Sequence, residues 1–194
     1  MSFIDNQGIV GWAFLIVGVL LLAMAVVGLY DCTGEDNVAG NAVVYIGVLL
    51  AAILYTLFGN RVRTESISGK VDVLGSYVNI VGVTIVVEAV FAVVGGLILG
   101  EDAASLIGGG IILVVIGLIV MWAGKSVMDG RKTFGDKVLW AILVVAFSVV
   151  LVAQILYMDF GDAVSIVDGV LHIVIYVFMI AYLLDGEVRG AMGI

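Results

Sequence analysis

Six apolar runs of about twenty residues or more, at 8–30, 39–58, 74–99, 104–124, 138–158 and 163–184, constrain this chain more than any other feature. A helix of that length covers a hydrocarbon core of about 30 Å. With 63% hydrophobic and 12% charged residues, the chain is far more apolar than a soluble domain. A closed barrel would need short strands that alternate apolar and polar residues. Runs such as 111–120 are apolar on every side, so the expected fold class is an all-α integral membrane protein with six transmembrane helices. The loops are too short for a separate soluble domain, so residues 1–194 form one transmembrane domain. The first run exceeds a usual signal core and its flank has no Lys or Arg, so a retained helix is expected there. Proline is absent, and no proline kinks are expected.

The basic residues set the orientation. Arg61, Arg63, Lys70, Lys125, Arg131, Lys132, Lys137 and Arg189 all follow the second, fourth or sixth run. The other connections carry Asp31, Glu35, Asp36, Glu101, Asp102, Asp159 and Asp162. The positive-inside rule then puts both termini in the cytoplasm of a multi-pass cell-membrane protein. Topology accounts for the basic rim, and no nucleic-acid partner is expected. Trp12, Tyr30, Trp122, Trp140, Tyr157 and Tyr182 fall near run ends, as interfacial anchors do, and Tyr55 and Trp122 near the basic rim could touch a lipid headgroup. Cys32, the single cysteine, cannot form an internal disulfide.

Sliding the chain by 64 positions aligns Ile16, Val17, Gly18 and Val19 with Ile80, Val81, Gly82 and Val83, and puts Arg61, Lys125 and Arg189 in register. Three tandem helical hairpins, at about 1–64, 65–128 and 129–194, follow from this pseudo-repeat. Small residues recur every seven positions: Gly11, Gly18 and Ala25; Gly75, Gly82, Ala89 and Gly96; Gly110, Gly117 and Gly124. Such spacing keeps them on one face of a left-handed helix pair, where they let backbones approach, so these faces are expected to be internal.

Three hairpins in this length, with glycine-rich helices and a stretch from Tyr45, Ile46 and Gly47 into Leu57, Phe58, Gly59, Asn60 and Arg61, resemble the bacterial HdeD family of small acid-resistance membrane proteins. The resemblance implies a non-enzymatic envelope protein linked to acid stress, with no catalytic residues to carry over. Proline in the outer turns, common in that family, is missing here.

Four polar residues interrupt the apolar pattern. Glu88 lies about 16 Å and His172 about 13 Å from the acidic ends of their runs, counting the helical rise, with Asp168 one turn further out and Gln154 near that level. A carboxylate at mid-membrane is costly and marks a candidate functional site. Three arrangements account for this intramembrane polar cluster: a hydrogen bond from a protonated Glu88 to His172 or a carbonyl that pins two helices; a proton or cation path; or a metal site. One histidine is poor provision for a catalytic metal. There is no Ser–His or Cys–His pairing, phosphate-binding loop or haem-attachment motif, so no catalytic residue, metal or cofactor is expected. The expected function is a non-enzymatic structural or interaction role in the bilayer, as a homo-oligomer or an accessory subunit of a membrane complex. The alternative is a small proton- or cation-conducting protein using Glu88, Asp168 and His172.

Overall fold

The computed structural model describes residues 6–34, 37–161 and 163–194. Its elements are α1 (Gln7–Asp31), a short 3₁₀ turn (Cys32–Gly34), α2 (Val38–Arg63), α3 (Lys70–Leu99), α4 (Ala103–Asp129), α5 (Phe134–Tyr157), α6 (Ala163–Leu184) and a six-residue helix α7 (Gly186–Ala191). Helices α1 to α6 are long and apolar enough to cross a membrane. Most extend past the apolar runs at the end that carries the basic residues. Arg61, Arg63 and Lys125 are good helix formers but not apolar, so hydropathy stops before the hydrogen bonding does.

Local chemistry fixes the ends. Asn6 accepts from the Ile9 amide at 3.2 Å to start α1, and Asp102 accepts from the Ser105 amide at 2.8 Å to start α4. Thr133 and Asp136 form a reciprocal capping box on α5. Asp136 is buried and accepts from the Thr133 amide, the Thr133 hydroxyl and Ser126 at 2.7, 2.9 and 3.2 Å, which pins the α4–α5 turn. At its basic end α2 finishes with Arg61 and Arg63 in the last turn, where cations oppose the helix dipole. Gly130, with φ +54°, ends α4 in the left-handed region.

Helices α1 to α4 pack side by side in chain order, through broad α1–α2, α2–α3 and α3–α4 interfaces. The α5–α6 pair is packed more thinly, and it rests on the row mainly through α6 against α1 and α3. All ten small residues of the heptad series are buried. A side chain on Gly11 or Gly18 would enter the backbone of α2 at Arg63 or Thr56, and one on Gly75 or Gly124 would enter the facing helix of the α3–α4 pair. The α5–α6 pair lacks this device. The residues 64 positions beyond Gly75, Gly82, Gly117 and Gly124 are Leu139, Ala146, Ala181 and, in α7, Val188, none of them a glycine.

The hydrophobic core occupies the basic half of the bundle. Phe14, Phe58, Tyr77, Val127, Leu143 and Met179 belong to one cluster spanning all six long helices. Phe14 packs edge-on against Phe58 at 5.1 Å between ring centroids and against Phe178 at 5.6 Å, and Tyr77 lies 5.9 Å from Phe58. Lys70 donates to Asp185 at 2.7 Å, tying the start of α3 to the start of α7. Trp12 is half exposed, with the Arg63 guanidinium 4.9 Å above its ring, so a cation–π contact joins α1 to α2 at the basic rim. Large apolar side chains such as Ile112, Val145 and Leu156 project outward, the reverse of a water-facing surface.

Candidate functional site

The aromatic core stops halfway along the bundle, and above it α1, α2, α3 and α6 line a half-open cavity of about 460 Å³. On α1 it begins at Asp31, the last residue of the helix at the acidic end, and it descends past Met24 to Tyr55 and Glu88. Leu20, Met24, Val48 and Val167 supply apolar walls, and Tyr45 and Tyr55 supply aromatic ones. Its ionisable groups are Asp31, Glu88, Asp168 and His172, with no Lys or Arg in the lining. Tyr55 faces the Thr84 hydroxyl at 3.4 Å, and Thr84 donates to the Val81 carbonyl at 2.9 Å. Tyr55 also lies 6.2 Å from Tyr77, and His172 lies 6.0 Å from Tyr176, so the lower wall continues into the aromatic core.

Helix geometry places each group. Asp168 and His172 are four residues apart on α6 and share a face. Nδ1 of His172 is 2.9 Å from the Asp168 carbonyl oxygen and 3.3 Å from its carboxylate. A carbonyl only accepts, so Nδ1 carries the proton of that contact and Nε2 remains the nitrogen that can take up or release one. Glu88 faces the same cavity one turn beyond Thr84 on α3, close enough to His172 for their charges to interact. Among the described residues no hydrogen bond or ion pair joins Glu88 to His172 or to a carbonyl. Of the three arrangements the sequence leaves open, the helix-pinning hydrogen bond is thus not formed among the described residues, and Glu88 lines the cavity as an exposed residue.

Three of the four polar residues singled out in the sequence, Glu88, Asp168 and His172, meet here, and Gln154 on α5 does not line the cavity. Sequence reasoning missed Asp31, assigned to a solvated turn, and Tyr55, assigned to the basic rim. Because α2 runs on to Arg63, Tyr55 sits two turns inside the helix end. Among the described residues no group of three or more His, Cys, Asp or Glu side chains is arranged to hold a metal ion. Glu35, Asp36 and Asp162, also read as acidic turn residues, lie outside the described residues.

Protein-family models, curated proteins and solved structures were all compared with this chain, and none matches it.

Proposed function

We propose that this chain is a multi-pass protein of the cell membrane, both termini cytoplasmic, that takes up protons or a small cation from the acidic face into the Glu88–Asp168–His172 cavity. The observation that carries this is the cavity lining: three carboxylates and an imidazole in an apolar recess that starts at the acidic helix ends, with no opposing cation. Carboxylates and imidazole exchange protons near neutral pH, and an intramembrane carboxylate with no hydrogen-bonded partner is a costly feature for a purely structural protein. The orientation rests on the segregation of all eight Lys and Arg residues to one end. The tandem hairpins gain support from the glycine contacts. Gly11 and Gly18 meet the backbone at Arg63 and Thr56, and Gly75 and Gly82 meet it at Met128 and Met121, within one residue of the same spacing after a shift of 64. Acid-side uptake would also suit the acid-stress role that the HdeD resemblance implies.

The test is a pH-gradient assay in proteoliposomes with the unsubstituted protein and Glu88→Gln. Flux that is lost in the variant, while the variant stays monodisperse, supports the proposal. Absence of flux from the unsubstituted protein overturns it.

One observation favours the structural or interaction role instead. Gly108 and Gly109 lie on the exposed side of α4, with nothing within 4 Å of an added Cβ, where another transmembrane helix could approach closely. Gentle detergent extraction followed by mass measurement distinguishes the two, because a homo-oligomer or accessory subunit leaves the membrane with its partner.

A further inference from the structure

We propose that the cavity's ligand is an amphipathic organic cation, an ammonium or phosphonium centre on an apolar or aromatic body, bound between Glu88 and the tyrosines Tyr45 and Tyr55. This names the substrate class of the cavity described above and rests on its taking up cations. Size is the first argument. A cavity of about 460 Å³ falls in the range of small-molecule sites, whereas a water or a bare ion of similar size fills about 30 Å³. The walls are the second. Leu20, Met24, Val48 and Val167 offer nothing to a hydrated inorganic ion, which would have to shed its water against them, but they match an apolar ligand body. Charge is the third. Asp31, Glu88 and Asp168 with no lining Lys or Arg exclude an anion, and a neutral solute gives three carboxylates no counter-charge. An inorganic divalent ion would need several close oxygen or nitrogen donors, and the described residues gather no such group. Tyr45 and Tyr55 put two aromatic rings in the lining, and aromatic rings attract a cation whose charge is too diffuse for tight coordination. Glu88 is then the group for which proton and ligand compete.

The experiment is equilibrium binding of tetraphenylphosphonium to the full chain in nanodiscs at several pH values, with a parallel proton-flux assay. Variants are Glu88→Gln and the cavity-filling Val48→Phe, which leaves every carboxylate in place; both are checked for monodispersity. Saturable binding that weakens at acidic pH is expected. Glu88→Gln should lose about tenfold in affinity, the scale of one charge-assisted contact, and Val48→Phe, which fills part of the recess, should lose binding. No saturable binding, with proton flux intact, overturns the organic-cation assignment and leaves the cavity's proton role standing. Loss of both overturns both. Binding that neither variant weakens also overturns the assignment, because the probe then sits elsewhere on the apolar surface.

Discussion

A Cβ built on Gly82 would stand 2.6 Å from the carbonyl oxygen of Gly117, and one built on Gly117 would stand 2.8 Å from the carbonyl oxygen of Gly82. The relationship is reciprocal, so at this level α3 and α4 meet backbone to backbone and neither can carry a side chain. Seven residues away the same holds between Gly124 and the backbone of Gly75 and Asn79, which makes the interface a continuous seam. Lipid gives two apolar helices no hydrophobic reason to associate, so close approach of this kind supplies the attraction.

Gly82→Val and Gly117→Val are therefore expected to destabilise the bundle by about 1–3 kcal/mol each, the scale of overpacking in a dense core. Gly109→Ala, whose added methyl meets open space, should be neutral. Thermal challenge followed by size-exclusion chromatography checks the contrast, and equal loss in all three variants would remove the seam from the account.

The third hairpin should open first. Its α5–α6 interface is thin, and where the second hairpin has Gly75, Gly82 and Gly117 its helices carry Leu139, Ala146 and Ala181, so no glycine seam draws the backbones together. Cross-helix contact holds these pairs closed, and regions with less of it exchange their amides sooner. Hydrogen exchange in nanodiscs should show the middle of α5 exchanging before the middle of α3 and α4; the opposite order would contradict it.

How far the sequence reveals this arrangement depends on the range of the interaction. The six long helices are visible because hydropathy over twenty-odd residues is a property of each segment alone. The positions of Glu88 and His172 along their helices are visible too, because helical rise is fixed. Helix α7 escapes notice, since six residues are too few to carry a periodic signal, and the Asp185 cap, its Lys70 contact and the burial of Val188 in the core all depend on the folded bundle. Tyr55 was misplaced because a run of hydropathy ends before a helix does. The cavity itself depends on which faces of α1, α2, α3 and α6 converge, and heptad glycines identify a packing face without naming its partner. Asp31 joins the site through that convergence alone.

The Lys70–Asp185 contact should be worth more than a surface ion pair. Its side chains are only 17% and 15% exposed, so removing Lys70 leaves a carboxylate partly desolvated. Lys70→Ala is expected to cost about 2 kcal/mol. Asp185 also caps α7 through the Glu187 amide at 2.9 Å, and asparagine caps as well as aspartate does. Asp185→Asn should then lose only the ionic part, Asp185→Ala about 1 kcal/mol more, and Lys70→Ala with Asp185→Asn less than the sum of the two. A double-mutant cycle on melting temperature measures each, and strict additivity would mean that the pair contributes nothing.

Orientation and cavity hydration can be tested together with single cysteines in a Cys32→Ser background, using a membrane-impermeant maleimide added outside intact cells. Maleimide needs thiolate, and thiolate forms only where water reaches. Val48→Cys lines the cavity and should label. Ile112→Cys, on the lipid-facing side of α4 and 62% exposed in the isolated chain, should not, because hydrocarbon suppresses ionisation. Leu74→Cys, fully buried in the core, should label only after denaturation. Lys125→Cys, exposed at the basic end, should label only after the cells are permeabilised. Labelling of Lys125→Cys from outside would invert the topology. Equal labelling of Val48→Cys and Ile112→Cys would mean that the recess is no wetter than the surrounding lipid, and proton uptake through Glu88 would then lack a route.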